Sequence, residues 1–596
     1  MLTIDFETKE IINGAPTPPR PVGVAIKQDS KPGRYYAWGH PTKNNCTVEK
    51  ATQLLRKAFN ESREPLLFHN AKFDVVLAMH WFGCRYPAGR VEDTLFLAYL
   101  YDPRLRSLKL KDLANDFLGM PPDEQEDLRD WLFDNVKGAR QAKKNWGKYI
   151  CKAPGDLVGK YAVGDVDRTY GLYNHFTPSI NDYEMGEAYE RELQLLPVIM
   201  DMEHQGVPIS KDIHEELTKR DKQLITTEKR IYKKLGEVES WDGKVIFNAM
   251  EKAKLVDHTK VVKTPTGKPS TAREVLPTYC KDKKLITDLE MRSRLVKVIG
   301  TYLRPWAEAE LKYGRFYPYF NQTRGADRGG TKTGRLSSNF QQVPKKPDIK
   351  IDISYLRNFV IPEPGHVIVL RDYSQQELRI LAHYAEGKLL AAYRANPDMD
   401  VHNWVKDLII KVAGVVLDRS KQVKTANFLQ VYGGGGPALS KKIGCGLNEA
   451  YTILKAHQKA LPEIKKLSEK LTKQLKQGIL LRTWGGRVYD VEWGKNSRGV
   501  FEYLFYKLIN LLIQGSAADQ TKQLMIDYHY HPERTGRIMI QAHDELVNSA
   551  PKRQARKEMR LLRGLMDNSK GWDVPMRSDG KIGPSWGEAV KFDDRV

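Results

Sequence analysis

Cysteine is scarce in this 596-residue chain. The five present (Cys46, Cys84, Cys151, Cys280 and Cys445) are scattered, and no two form a CxxC pair. That spacing excludes a disulfide framework and a zinc ribbon, and it suits a reducing compartment such as the cytoplasm. Long apolar runs are also missing, with none near the ~18 residues that a membrane span needs. No signal peptide is expected, because Met1-Leu-Thr-Ile-Asp5-Phe-Glu7 already reads as a functional strand and leaves no room for a removable leader. The run Gly433–Gly436 is not followed by Gly-Lys-Ser/Thr, so it is no phosphate cradle and reads as a helix end with a flexible exit. Acidic residues are the last shortage: 74 Asp and Glu stand against 96 Lys and Arg, a formal charge of +22. Solubility needs less, and a polyanionic partner, nucleic acid first, fits the balance. No internal repeat is evident, and the length allows several domains with cores of their own.

What is present is a set of carboxylates on apolar supports. Ile538-Met-Ile540 leads into Gln541-Ala-His543-Asp544-Glu545, and Leu546-Val547 leads out. The pattern predicts a tight hairpin with Asp544 and Glu545 at its tip. Adjacent acids repel unless a positive charge sits beside them, and a divalent metal is the usual solution. In isolation the same residues would read equally well as a solvated turn. Val367-Ile-Val-Leu370 is a second buried-strand pattern, and it ends at Asp372. Two strands that deliver acids to one edge could hold two metal ions ~3.5–4 Å apart, as in-line phosphoryl transfer requires. Between these motifs, Lys424, Phe428 and Tyr432 are spaced by four and share one face of a helix. That face offers a cation for a triphosphate and two rings for a base, although any one of the three alone reads as an ordinary surface or core residue.

The N-terminal part repeats the theme in an alternating α/β pattern. Asp5 and Glu7 point to the same side of a strand. Leu66-Leu-Phe68 predicts a second strand, followed by Asn70 and Asp74 one helical turn apart. Tyr161 and Asp165 have the same spacing. Four acids and a tyrosine could form a two-metal nuclease site in which Tyr161 orients the attacking water. Acids are common, so spacing alone does not decide this. Residues 121–155, with Trp131 and Trp146, match no motif and read as a helical insertion or surface element.

In this order the motifs around Asp372, Lys424–Tyr432 and His543–Glu545 resemble those of family A DNA polymerases, the group of bacterial DNA polymerase I and several bacteriophage replicases. Thr333-Gly-Arg335-Leu-Ser-Ser338, with Gln341 and Pro344, and Asn510 with Gln514-Gly515 extend the resemblance. The N-terminal acids, with Val91-Glu-Asp93-Thr94, are similar to the 3'-5' exonuclease of the same polymerases. The resemblance spans nearly the whole chain. It implies an α/β multidomain fold, with a ribonuclease H-like exonuclease domain over 1–185 followed by a right-hand polymerase. The start of the polymerase domain and a thumb would occupy 186–310, the first part of the palm 311–385, the fingers 386–495 and the second part of the palm 496–596. Lys219–Lys234 would then be a projecting thumb helix, Lys260–Thr271 a basic loop near the duplex, and Thr301–Leu303 the close of the thumb.

The resemblance also implies roles. A primer 3'-hydroxyl would attack the α-phosphate of a deoxynucleoside triphosphate, with proofreading of the primer end. Asp372, Asp544 and the Tyr373 carbonyl would hold two Mg2+ ions, which Mn2+ can replace, with Glu545 peripheral to them. Asp5, Glu7, Asp74 and Asp165 would hold two more. Lys424 would meet the triphosphate, Phe428 and Tyr432 the base pair, and Glu377 would exclude a 2'-hydroxyl. Arg335 and Gln514 match positions that feel the minor groove, whose acceptors are nearly the same for every correct pair. Asn510 and His543 complete the DNA contacts. Ser420 stands where the family has an arginine, with Arg419 and Lys421 as neighbouring substitutes, and Tyr506 replaces another. Asp400 is either a helix N-cap or a substrate contact. The expected partners are primer–template DNA, deoxynucleotides and a single-stranded 3' end. The chain is expected to act as a monomer, open to a processivity factor. With no 5' nuclease domain in the sequence, the expectation is a phage-type replicative enzyme in a host cytoplasm.

Overall fold

The computed structural model describes residues 1–12, 14–264, 266–345, 354–496 and 499–593. Two five-stranded sheets carry the two groups of acids. In the first, Leu2–Thr8 lies in the middle. Pro21–Gln28 pairs antiparallel on one side, followed by Arg34–Ala37, and Leu66–Phe68 and Val91–Asp93 add in parallel on the other. Ile4 and Phe6 face a core with Val75, Phe59 and Phe68. The alternation of a strand therefore turns Asp5 and Glu7 to the opposite side. Asp5 stands opposite Ala25 in the ladder, and Ala25 packs with Val158, Ala162 and Val166 of the helix Gly155–Asp182. That helix thus crosses the face from which Asp5 projects.

The segment 121–155 is helical, as expected, and much of it is exposed, but one face packs into the domain. The helix Asp123–Asn135 and the 3-10 turns of Arg140–Lys152 bury Leu128, Leu132, Ala139 and Ile150 against Tyr35, Ala37 and the same long helix. Their apolar positions are too dispersed in a charged sequence to announce a buried face.

The second sheet runs Arg537–Ala542, Glu545–Pro551, His366–Tyr373, Ser578–Gly583, Val590–Lys591, antiparallel throughout. Both of its faces are covered. Ile368, Leu370 and Val547 face one core, and Val369, Tyr373, Leu546 and Ala550 face the other. A sheet buried on two sides reads as continuous apolar runs, which is why Val367–Leu370 shows no polar alternation. On one side lie the helices Gln376–Ala385, Lys424–Val431, Leu447–Ala460, Pro462–Lys476 and Leu508–His529. On the other, Ile213–Leu235 packs on Lys283–Val298, joined by Arg230–Asp288 and Arg292–Glu228 bonds of 2.7 and 2.8 Å. Thr301–Leu303 is not the end of a helical run. It lies in a π-helical turn, Ile299–Leu303, that carries this helix on into Arg304–Tyr313, with Tyr302 and Leu303 buried. Of the basic loop Lys260–Thr271, Lys260, Lys263 and Lys268 are exposed, and Pro265 lies outside the described residues.

The glycine run ends a helix, but its exit is packed rather than flexible. Gly433 has φ +65°, and a Cβ there would lie 2.1 Å from the Tyr506 carbonyl oxygen. A Cβ on Gly434 would meet Leu429 at 2.3 Å, and one on Gly436 would meet Tyr451 at 2.7 Å. Glycine is needed here for close approach as well as for the turn.

Candidate active sites

At the N-terminal site, Asp5, Glu7 and Asp165 offer ligand oxygens that all lie within 4.8 Å of one another. Asp74 stands beside this group. Its Oδ1 accepts a 3.0 Å bond from the Phe6 backbone N–H, which ties the helix Ala71–Phe82 to the Leu2–Thr8 strand. Asn70 precedes that helix at φ +71°, a left-handed conformation that asparagine tolerates, so it sits at the cap rather than in the turn with Asp74. Asp93 holds the junction, accepting from the backbone N–H of Asn70, Ala71 and Leu95 at 2.8–2.9 Å. Burial and the charge of Asp165 push Asp5 up to about 8, and Glu7, Asp74 and Asp165 are raised as well, chiefly by burial. A cluster of buried oxygen donors that resists ionisation suits a hard divalent cation. Sequence reasoning missed Lys111. Its Nζ donates to both Asp165 oxygens at 2.7 Å and lies 3.8 Å from the centre of the Tyr161 ring. Arg168, 3.6 Å from Asp165, is held by Glu124 of the segment that had matched no motif.

In the second sheet the ladder does the positioning. Asp372 is directly opposite Glu545, and the Tyr373 N–H donates to the Asp544 carbonyl at 3.2 Å. His543, at φ +60°, makes the turn. Burial together with the charge of Asp372 pushes Asp544 up to about 8. Asp372 Oδ1 is buried with no hydrogen-bond partner among the described residues. An orphaned carboxylate oxygen beside a second acid fits a divalent ion. Glu545 has partners of its own: its Oε1 accepts from Trp586 Nε1 at 2.7 Å and lies 3.4 Å from Arg357. Lys345 pairs with Asp372 and stands 3.6 Å from Glu545. None of Lys345, Arg357 or Trp586 carried a signal in the sequence, since each comes from a distant segment.

A cavity of about 450 Å³ opens from these acids and is lined by Asp544, Glu545 and His543 on one side and Lys424, Phe428 and Tyr432 on the other. Glu377 lies between, bonded to Arg335 and to the Tyr432 hydroxyl, the latter at 3.0 Å. His402, also lining the cavity, packs on Phe428 and is lowered to about 4 by burial and by Lys424. Gln514 lies on the helix Leu508–His529 together with Asn510, whose Oδ1 is buried without a partner among the described residues. Lys421 is exposed and does not line the cavity, and Arg419 is held by Asp400. Asp400 itself caps the helix Val401–Ala413, accepting from His402 and Asn403 at 3.0 and 3.1 Å. The two halves meet at a polar seam. Tyr99 of the N-terminal unit donates to the Thr331 carbonyl at 2.6 Å and accepts from Gly334, next to Arg335, at 2.8 Å. Lys72 bonds Glu203 and the Phe320 carbonyl.

Two separated groups of buried acids, one facing a cleft with a cation and two rings, define a nucleic-acid polymerase joined to a nuclease. The sequence model described as DNA polymerase family A matches residues 210–588, and one described as 3'-5' exonuclease matches residues 20–181. The chain belongs to DNA polymerase family A. It is 25% identical over 619 residues to the DNA polymerase DpoZ of Salmonella phage PMBT28, covering 96% of this chain and 95% of that one. It is 30% identical over 410 residues to DNA polymerase I of Caldicellulosiruptor bescii, covering 67% of this chain and 47% of the relative. The chain spans about half the length of that bacterial relative and nearly all of the phage one. The POL domain of Pol1 from M. smegmatis, solved with DNA primer-template and dNTP, shares the fold with a TM-score of 0.73 at 20% identity, over 99% of this chain and 96% of that one. Domains of this kind use divalent metal ions. No helix among the described residues is long and apolar enough to cross a membrane.

Proposed function

We propose that the chain extends primer–template DNA with deoxynucleotides and proofreads the product through its 3'-5' exonuclease, as a replicative polymerase of a bacteriophage acting in the host cytoplasm. Likeness to the phage polymerase along nearly the full length of both chains supports the last part. The observation that carries the reading is the cavity with Asp544 at one end and Lys424, Phe428 and Tyr432 at the other.

Asp372, Asp544 and the Tyr373 carbonyl hold two divalent ions, Mg2+ or Mn2+, in this reading. Such ions supply Lewis-acid activation of the primer hydroxyl and neutralise the leaving pyrophosphate. Lys424 meets the triphosphate oxygens, and Phe428 and Tyr432 flank the nascent base pair. Lys421 reaches the triphosphate only after a rearrangement that brings it to the cavity. Glu377, fixed by Arg335 and Tyr432, fills the space beside the sugar and leaves no room for a 2'-hydroxyl. Arg335, Gln514, Asn510 and His543 face the duplex, Arg335 from the position that its bond to Glu377 fixes. Glu545 stays peripheral, its charge met by Arg357 and Lys345. In the N-terminal site Asp5, Glu7 and Asp165, with Asp74 beside them, hold the ions, Lys111 orders Asp165, and the Tyr161 hydroxyl orients the attacking water.

Primer extension with deoxynucleotides and then with ribonucleotides, with and without a chelator, tests this. The expected result is metal-dependent extension with deoxynucleotides alone. Extension with ribonucleotides alone would assign an RNA polymerase, and degradation without extension a nuclease.

A further inference from the structure

A third aromatic surface lies outside both acid sites. The strands Trp493–Lys495 and Phe501–Tyr503 form an antiparallel ribbon in which Trp493 opposes Tyr503 and Lys495 opposes Phe501. Opposed residues in such a ladder project to the same side, as do residues two apart on one strand. Trp493, Lys495, Phe501 and Tyr503 therefore share one face, and Gly494 and Glu502 share the other. Trp493, Phe501 and Tyr503 are 57, 57 and 54% exposed, so nothing among the described residues covers this face. The Trp493 and Tyr503 rings meet edge to face at 4.8 Å, and Lys495 stands 5.2 Å over the Phe501 ring. Cations continue from the ribbon toward the body. Lys476 lies over Phe505, and Lys507 bonds Glu492 at 3.0 Å.

The ribbon is tied to the polymerase cavity by its own chain. Leu504 N–H donates to the Glu492 carbonyl at 2.8 Å, closing the base of the ribbon. Two residues on, the Tyr506 carbonyl packs against Gly433, the residue after Tyr432, and the Tyr506 ring is 43% exposed. The chain thus runs from the aromatic face through Tyr506 to a contact with Gly433, beside the cavity residue Tyr432. We propose that this face is a stacking platform for single-stranded template ahead of the primer end. The rings receive bases of any sequence, and Lys495 with its neighbouring lysines receives the phosphates. The charge of +22 makes a polyanion the partner that matches, and the mixture of rings and lysines selects an unpaired strand over a duplex, whose bases are not free to stack. The inference rests on the reading of the chain as a polymerase.

The test uses the full chain and two primer–templates with the same duplex, one with a template overhang of a single nucleotide and one with about twelve. Affinity is measured by fluorescence anisotropy for the wild type and for the triple variant Trp493→Ala, Phe501→Ala, Tyr503→Ala. The wild type is expected to bind the long overhang about 10-fold more tightly, since base–aromatic stacking is worth at least that when rings are truncated. The variant should lose this preference while keeping its affinity for the short overhang, its extension of that substrate and its degradation of single strands. Equal affinities of the wild type for both substrates, or a preference that survives in the variant, would overturn the proposal. So would a loss common to both substrates, which would assign the ribbon to the duplex or to folding. A change of sedimentation with unchanged DNA affinities would assign the face to a protein partner instead. If the wild type fails to extend either primer, it is the polymerase reading that has failed.

Discussion

The two acid sites hold like charges together by different means. In the central sheet, Asp372 lies on a strand and Asp544 in the tight turn beside it, and the backbone places both: Glu545 pairs with Asp372 in the ladder, and the Tyr373 N–H holds the Asp544 carbonyl. At the N-terminal site, Asp5 and Glu7 lie on a strand and Asp165 on a helix, so their approach depends on how Gly155–Asp182 seats on the sheet. The counter-charges differ too. Lys345 and Arg357 serve the central acids, and Trp586 adds a neutral donor. At the N-terminal site Lys111 makes the close contact to Asp165, and Arg168 stands farther off. The lesson is that the N-terminal cluster is the more dependent on tertiary packing and on an added cation.

The largest expected effect would break the comparison outright if it failed. Asp544→Ala should lower primer extension about 1000-fold, since loss of a ligand removes about 4 kcal/mol of transition-state stabilisation, and it should leave degradation of single strands within about twofold. Asp5→Ala should do the reverse. Loss of both activities from either change would mean that the two sites are not independent.

Next in size is Glu377→Ala. With the carboxylate gone, the space between Arg335 and Tyr432 admits a 2'-hydroxyl, and incorporation of ribonucleotides relative to deoxynucleotides should rise about 100-fold, or about 2.7 kcal/mol in selectivity. Competition of the two nucleotides on one primer measures it. An unchanged ratio would move the sugar contact elsewhere.

Lys111→Met sharpens the contrast in counter-charge. The variant keeps the apolar stem and removes the ammonium from Asp165, so degradation of single strands should fall about 10-fold, a change of about 1.4 kcal/mol. Extension should not change. A single-strand rate equal to the wild type's would show that the metal alone orders Asp165.

A last prediction concerns pH. In the metal-free folded chain Asp5 is held at about 8, against 3.8 for the free side chain. The folded chain therefore keeps a proton that the unfolded chain releases, so the stability that this group contributes is fully present below about pH 4, falls as pH rises toward 8 and is gone above. Thermal melts in chelator should show this decline, and Mg2+ should reverse it more strongly at pH 8 than at pH 6. The decline should be shallower for Asp5→Asn. A wild-type melting temperature that stays flat from pH 4 to 8 would show that Lys111 already balances the cluster.

Much of both sites was legible one element at a time. Period two put Asp5 and Glu7 on one strand face, a spacing of four put Lys424, Phe428 and Tyr432 together, and apolar runs located the strands that end at Asp372 and Asp544. These are properties of a single strand, helix or hairpin, whose backbone geometry is set by near neighbours in the chain. Tertiary structure alone decided what meets them. It brought Lys111 to Asp165 across 54 residues, Lys345 to Asp372 across 27 and Trp586 to Glu545 across 41. It gave Glu545 the partners Trp586 and Arg357, held Glu377 between Arg335 and Tyr432, and packed one apolar face of the 121–155 segment into the N-terminal core. In a chain with 96 lysines and arginines, no local pattern marks the few that neutralise an acid. Their partners are chosen by how helices and sheets pack, and that choice depends on contacts between residues far apart in sequence.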